Sequence, residues 1–151
     1  MRHVWILAHL LGFTMWLGGG LSAMFVGLAS RREPRDRVST AMRMLATIYQ
    51  TLVLPGSLLT VVSGLVWSLL MYGGPTVAGV SHWLMAMQGT GLIAALITLV
   101  VLVPGAGKLN RVDPVAQPDL FDALRKKQAR FGMISGLLGL LALYAGALGR
   151  P

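Results

Sequence analysis

Residues 44–103 read MLATIYQTLVLPGSLLTVVSGLVWSLLMYGGPTVAGVSHWLMAMQGTGLIAALITLVVLV, without one Lys, Arg, Asp or Glu. A turn sequence, Gly73-Gly74-Pro75, divides this stretch into two apolar runs. Two further uncharged stretches flank it, Val4 to Ala29 and Phe131 to Gly149. A helix of about 20 apolar residues crosses a bilayer. The pattern therefore predicts four crossings, with helices over about 4–29, 40–72, 78–103 and 119–149, the last with a cytoplasmic extension before 131. The fold class expected is all-α: one domain over 1–151, a polytopic membrane protein forming an antiparallel bundle of four transmembrane helices.

Composition agrees with this assignment. Hydrophobic residues make up 55% of the chain and charged residues 12%, about half of what soluble domains carry, with a mean hydropathy of +0.70. The net charge of +8 is concentrated in two places. Arg31, Arg32, Arg35, Arg37 and Arg43 lie between the first and second apolar segments, and Lys108, Arg111, Arg125, Lys126, Lys127 and Arg130 between the third and fourth. The positive-inside bias then puts both basic loops in the cytoplasm and both termini outside. Charges that hug helix ends suit anionic lipid at the cytoplasmic face and not nucleic acid, which needs a basic face with base-contacting groups.

The absence of Cys removes disulfides, thiolate metal sites and a Cys nucleophile. The acidic residues all fall in the two basic loops, so no carboxylate dyad or oxygen-ligand cation site is expected within the crossings. A cleaved signal peptide is not expected, because the first apolar run is about twice the usual hydrophobic region. Punctuation along the chain is clear: the first helix stops at Ser30-Arg31-Arg32-Glu33-Pro34, the second carries a kinking Pro55-Gly56, and the third is expected to end at Pro104-Gly105. A linker should then run from Ala106 to Gln117, and Pro118-Asp119 should start the last helix, with Asp122 and Lys126 one turn apart. Thr60, five residues after Pro55, is expected to bond backbone loosened by the kink. Small residues Gly132, Ser135, Gly136, Gly139, Ala142 and Gly146 form a stripe on the fourth helix, and Gly18-Gly19-Gly20 allow close approach on the first.

Three histidines are the candidates for chemistry. His3 belongs to the water boundary, whereas His9 lies about two turns into the first crossing, where an ionisable group usually faces the interior. Trp5, His9, Gly12 and Trp16 follow one helical stripe, with a small residue one turn below the imidazole and aromatic rings on either side. Two readings fit this face. It suits a flat macrocycle whose iron is bound by His9, and it equally suits Trp5 in the interfacial belt with His9 bonded to a neighbouring helix. On the third helix, His82 and Met85 lie one turn apart at a depth matching His9, as do Trp67 and Tyr144. His9 with His82 or Met85 could ligate haem, and the same three residues could hold copper.

At His9-Leu10-Leu11-Gly12-Phe13-Thr14-Met15-Trp16-Leu17-Gly18-Gly19 and at Pro55-Gly56-Ser57-Leu58-Leu59-Thr60-Val61-Val62-Ser63-Gly64-Leu65 the chain resembles the bacterial CopD-like superfamily. That superfamily includes copper-resistance protein D, the HemJ-type protoporphyrinogen oxidases and uncharacterised four-helix relatives. The shared pattern is a first-helix His with Trp seven residues on, then a second-helix Pro with Thr at +5 and Gly-Leu at +9 and +10. The likeness runs through roughly residues 4–109. It implies b-type haem bound at His9, or copper handling. The HemJ-type branch carries a His and a Lys in the third helix where this chain has Met85 and Met87, and a Lys where it has Ile6; these departures weigh against protoporphyrinogen oxidase activity. The functions expected are haem-linked electron transfer or redox chemistry, copper binding or transport, or a cofactor-free accessory subunit packing as a homo-oligomer or in a larger membrane complex.

Overall fold

The computed structural model describes residues 2–72 and 82–148. The expected turn at Gly73-Gly74-Pro75, the start of the third helix at Ala78 and the end of the fourth at Gly149 lie outside the described residues. Four long helices account for nearly all of the rest, and no strand occurs among the described residues. Helix α1 is Arg2–Ala29. Helix α2 is continuous through Val38–Ile48, a π turn at Tyr49–Val53 and Leu54–Tyr72. Helix α3 joins His82–Ile97, a second π turn at Thr98–Leu102 and Val103–Arg111, and α4 is Pro118–Leu148.

All four are long and apolar enough to span a bilayer; the shortest candidate span, His3–Ala29, has 27 residues. At 1.5 Å per residue that is about 40 Å, against a hydrocarbon core of about 30 Å. Large apolar side chains such as Leu7, Leu10, Phe25, Leu96, Val100, Leu137 and Leu141 face outward. Such a surface is stable only against lipid, which makes the chain a multi-pass membrane protein.

Both internal prolines sit just beyond a π turn. Proline lacks an N–H and its ring strikes the carbonyl four residues back. In α2 the residue before Pro55, Leu54, reaches back five residues to the Tyr49 carbonyl; in α3 Val103, before Pro104, does the same to Thr98. The wider turn shifts the register at the ring and lets the helix continue. The expectation that Pro104-Gly105 ends the third helix is therefore corrected: α3 runs on to Arg111, and the linker shrinks to residues 112–117. Buried Gln128 of α4 donates from Nε2 to the Leu102 carbonyl at 3.0 Å, supplying a polar partner inside the apolar region. The Thr60 expectation is corrected as well. Its hydroxyl donates to Gly56 O at 2.8 Å, a carbonyl beyond the kink and not one loosened by it.

Packing is uneven. Helix α1 lies mainly along α2, and α3 along α4. The first pair approaches most closely where Gly12 meets Gly56: a Cβ on Gly12 would stand 2.7 Å from Thr60 N, and one on Gly56 2.6 Å from Trp16 N. Of the three consecutive glycines only Gly19 packs, against Val53 and Leu52; Gly18 and Gly20 face open space. The α4 stripe is divided in the same way. Ser135, Gly139 and Ala142 are buried and Gly146 meets the Met87 thioether, while nothing lies within 4 Å of a Cβ on Gly136.

The end carrying the basic loops is a packed cap. Val38, Met42, Leu109 and Phe121 form a small apolar cluster there. Arg35 pairs with Asp122 at 3.1 Å and donates to the Pro114 carbonyl at 3.3 Å, so Asp122 bonds across the cap and not to Lys126. Arg125 donates to Gly27 O at 3.2 Å and Ser30 Oγ at 2.9 Å, placing a cation on the C-terminal carbonyls of α1.

Candidate functional site

His9 lies towards the end of α1 opposite the basic cap, half-buried, with its ring turned onto α2. Its Nδ1 is 2.9 Å from the Thr60 carbonyl oxygen and 3.4 Å from Ser63 Oγ. A carbonyl only accepts, so the proton of the neutral imidazole is on Nδ1. The lone pair is therefore on Nε2. The Ser63 hydroxyl is committed elsewhere, donating to the Leu59 and Thr60 carbonyls of its own helix.

The second helix is cut away to admit the ring. A Cβ at Gly64 would stand 3.0 Å from His9 Cε1 and 3.2 Å from Nδ1, so a larger residue would push the imidazole off the carbonyl. Thr60, Ser63 and Gly64 thus make a seat that sets both the tautomer and the orientation of His9. A histidine whose Nδ1–H is held by a backbone carbonyl and whose Nε2 is unprotonated is in the form that ligates a metal.

The other stripe residues have different roles. Gly12 is covered by Thr60 and Gly56, and Trp16 is buried, its Nε1 donating to Thr98 Oγ1 of α3 at 3.2 Å. Neither offers a free face to a macrocycle. A flat group at His9 would have to meet the imidazole from the side turned away from α2. His82 and Met85, at the start of α3, are exposed, and α3 packs chiefly on α4 with few contacts to α1. His3 is exposed, Trp67 half-buried and Tyr144 exposed. The structure therefore seats His9 against α2, while His82 and Met85 stand exposed at the start of α3. No group of three or more metal-binding His, Asp or Glu occurs among the described residues.

One polar centre was not foreseen from the residues. Thr98 Oγ1 accepts from Trp16, donates to the Ala94 carbonyl at 2.9 Å and lies 3.0 Å from Ser135 Oγ, which also reaches Ala94 O at 3.2 Å. These bonds tie α1, α3 and α4 together at mid-bundle. Among the described residues no buried side-chain nitrogen or oxygen lacks a partner. The available signal was a pair of small hydroxyl residues within apolar runs, one of them opening the π turn before Pro104, but such residues also bond their own helix and give no partner away.

No protein-family model, curated protein or solved structure matches the chain. Fold and site together define a multi-pass, four-helix membrane protein with one oriented intramembrane histidine.

Proposed function

We propose that this is a cytoplasmic-membrane protein of the CopD-like type that binds b-type haem through His9 Nε2 for electron transfer or haem-linked redox chemistry. The observation that carries the reading is the His9 Nδ1 to Thr60 carbonyl bond of 2.9 Å, which leaves Nε2 as the ligand atom. The seat is built from the second of the two stretches that carry the family resemblance, and His9 and Trp16 belong to the first. The Thr60 carbonyl holds the plane of the ring, and Gly64 gives it room. Bound haem would supply a one-electron couple, and His9 would hold it. His82 and Met85, each exposed at the start of α3, are the candidates for a second ligand.

Protein purified from haem-replete cells should show a Soret band that His9→Ala abolishes. Gly64→Leu, which leaves the ligand in place but crowds its seat, should weaken haem retention. A changed absorption spectrum in His82→Ala or Met85→Ala would identify a second ligand. Colourless wild-type protein sinks the haem reading. Stoichiometric copper in its place would support copper handling at His9, and neither metal nor haem would leave an accessory subunit.

The proposed bundle is antiparallel, with both termini outside and the basic cap in the cytoplasm; the support is the placement of 11 of the 13 Lys and Arg in the cap. The chain has no Cys, so single cysteines report topology directly. Ser30 is buried under Arg125 and would label poorly, whereas Arg32 is exposed. Thr76→Cys should react with an impermeant maleimide in cells with a permeabilised outer membrane, and Arg32→Cys should not. The reverse pattern overturns the orientation.

A further inference from the structure

We infer that a cleft between α3 and α4 at the basic cap binds one anionic phospholipid, with the phosphate between Lys108 and Lys127 and an acyl chain descending over Val100 and Val101. The cleft has a volume of about 120 Å³ and also takes in Pro104 and Gly105. Its lining changes character along its length. Val100 and Val101 belong to the apolar run of α3, Lys108 lies about two turns nearer the cap, and Lys127 stands on α4 between Leu124 and Gln128. Such an order matches a lipid, whose charge sits at the bilayer surface and whose chains run inward.

Three features favour a bound phosphate over a general surface charge. The two lysines come from different helices and converge on one cleft, and no carboxylate lines it. Neither lysine forms an ion pair among the described residues, where the single salt bridge is Arg35 with Asp122. The floor is also fixed: Gln128 is held by Leu102 O with its Oε1 against Gly105, where any side chain would displace the amide. Proline at 104 adds an exposed apolar ring and presents no N–H. A chain lying on these residues replaces lipid contact that the concave surface would otherwise make poorly. The inference needs only membrane insertion and is independent of the chemistry at His9.

The test is native mass spectrometry of the purified protein in neutral detergent, titrated with phosphatidylglycerol, with phosphatidylcholine and inorganic phosphate as comparison probes. One phosphatidylglycerol should be retained in preference to phosphatidylcholine, and inorganic phosphate should neither bind nor compete at equal concentration. Each lysine near an anionic surface contributes about a fivefold gain in affinity, so Lys108→Gln with Lys127→Gln should weaken retention by about thirtyfold. The control pair Arg111→Gln with Lys126→Gln removes the same charge from the same cap outside the cleft and should change retention by less than about threefold. Equal losses in the two double variants, equal retention of the zwitterionic lipid, or binding of inorganic phosphate at the lipid's affinity would each overturn the site. Both pairs are surface changes, and unchanged thermal unfolding of the variants shows that the comparison is between folded proteins.

Discussion

Replacing Gly56 by Ala tests how the histidine seat is built. A methyl group there would stand 2.6 Å from Trp16 N, 2.8 Å from Gly12 O and 2.9 Å from Met15 Cβ. Two of these atoms are backbone, so no rotamer change relieves the contact. Ordinary contact begins near 3.4 Å, and α1 must therefore part locally from α2 by roughly 0.8 Å. Overpacking costs about 1–3 kcal/mol, and a clash with backbone belongs at the upper end, about 3 kcal/mol. The same displacement carries His9 Nδ1 from 2.9 Å to about 3.7 Å from the Thr60 carbonyl, beyond hydrogen-bond range. Gly18 and Gly136 are the controls: nothing lies within 4 Å of a Cβ on either, so Ala there should hold stability or raise it by up to about 1 kcal/mol through helix propensity. Equilibrium unfolding by sodium dodecyl sulfate in mixed micelles reads the stability of the three variants. Ligand retention in Gly56→Ala reads the seat. If Gly56→Ala unfolds within about 0.5 kcal/mol of Gly18→Ala, the close packing of α1 on α2 described above is wrong, and with it the account of how His9 is oriented.

Thr98→Val removes the hydroxyl shared by Trp16 and Ser135 and leaves a buried indole N–H without a partner, for an expected loss of about 1–3 kcal/mol; Trp16 emission in a background with the other tryptophans replaced by Phe should shift, and an unchanged spectrum with unchanged stability would count against the junction. Gly105→Ala should displace Gln128 and cost about 1–3 kcal/mol, while Gly107→Ala, where a Cβ meets nothing within 4 Å, should not, and equal unfolding curves for the two would refute the assignment. Arg125→Ala withdraws a cation and two donors from the end of α1 and should cost about 1 kcal/mol, with faster hydrogen exchange over residues 28–32; exchange unchanged there would show that α1 ends without this cap.

Length and charge placement made the four helices legible. A run without charge can only be stable in lipid as a helix, because the backbone has no other partner there, and this holds whatever the neighbours are. The start of α2 and the start of α4 at Pro118 were readable for similarly local reasons. The end of α3 was not. Proline is a stop signal in isolation, but the cost of continuing past it depends on the register shift that the π turn provides.

The candidate site divides along the same line. That His9 was worth attention followed from its depth in an apolar run. Periodicity also placed Gly12 and Trp16 on its face, and helical geometry alone was enough for that. What lies opposite that face is a property of the bundle. Only the packing shows that the stripe is pressed onto α2, that Gly12 is filled by Thr60 and Gly56, that Trp16 is drawn to Thr98, and that Gly64 makes room for the imidazole. Matching depth brought His82 and Met85 into the reading, yet depth is one coordinate of three. The direction in which each helix turns its residues is decided by close packing between neighbours, and that sets α3 mainly against α4 with His82 and Met85 exposed. The sequence by itself thus determined that the chain has four helices long and apolar enough to cross a membrane and which end is basic, because those follow from transfer of single side chains between water and lipid. The tertiary structure decided which nitrogen of His9 keeps its proton, because that depends on a carbonyl 51 residues away.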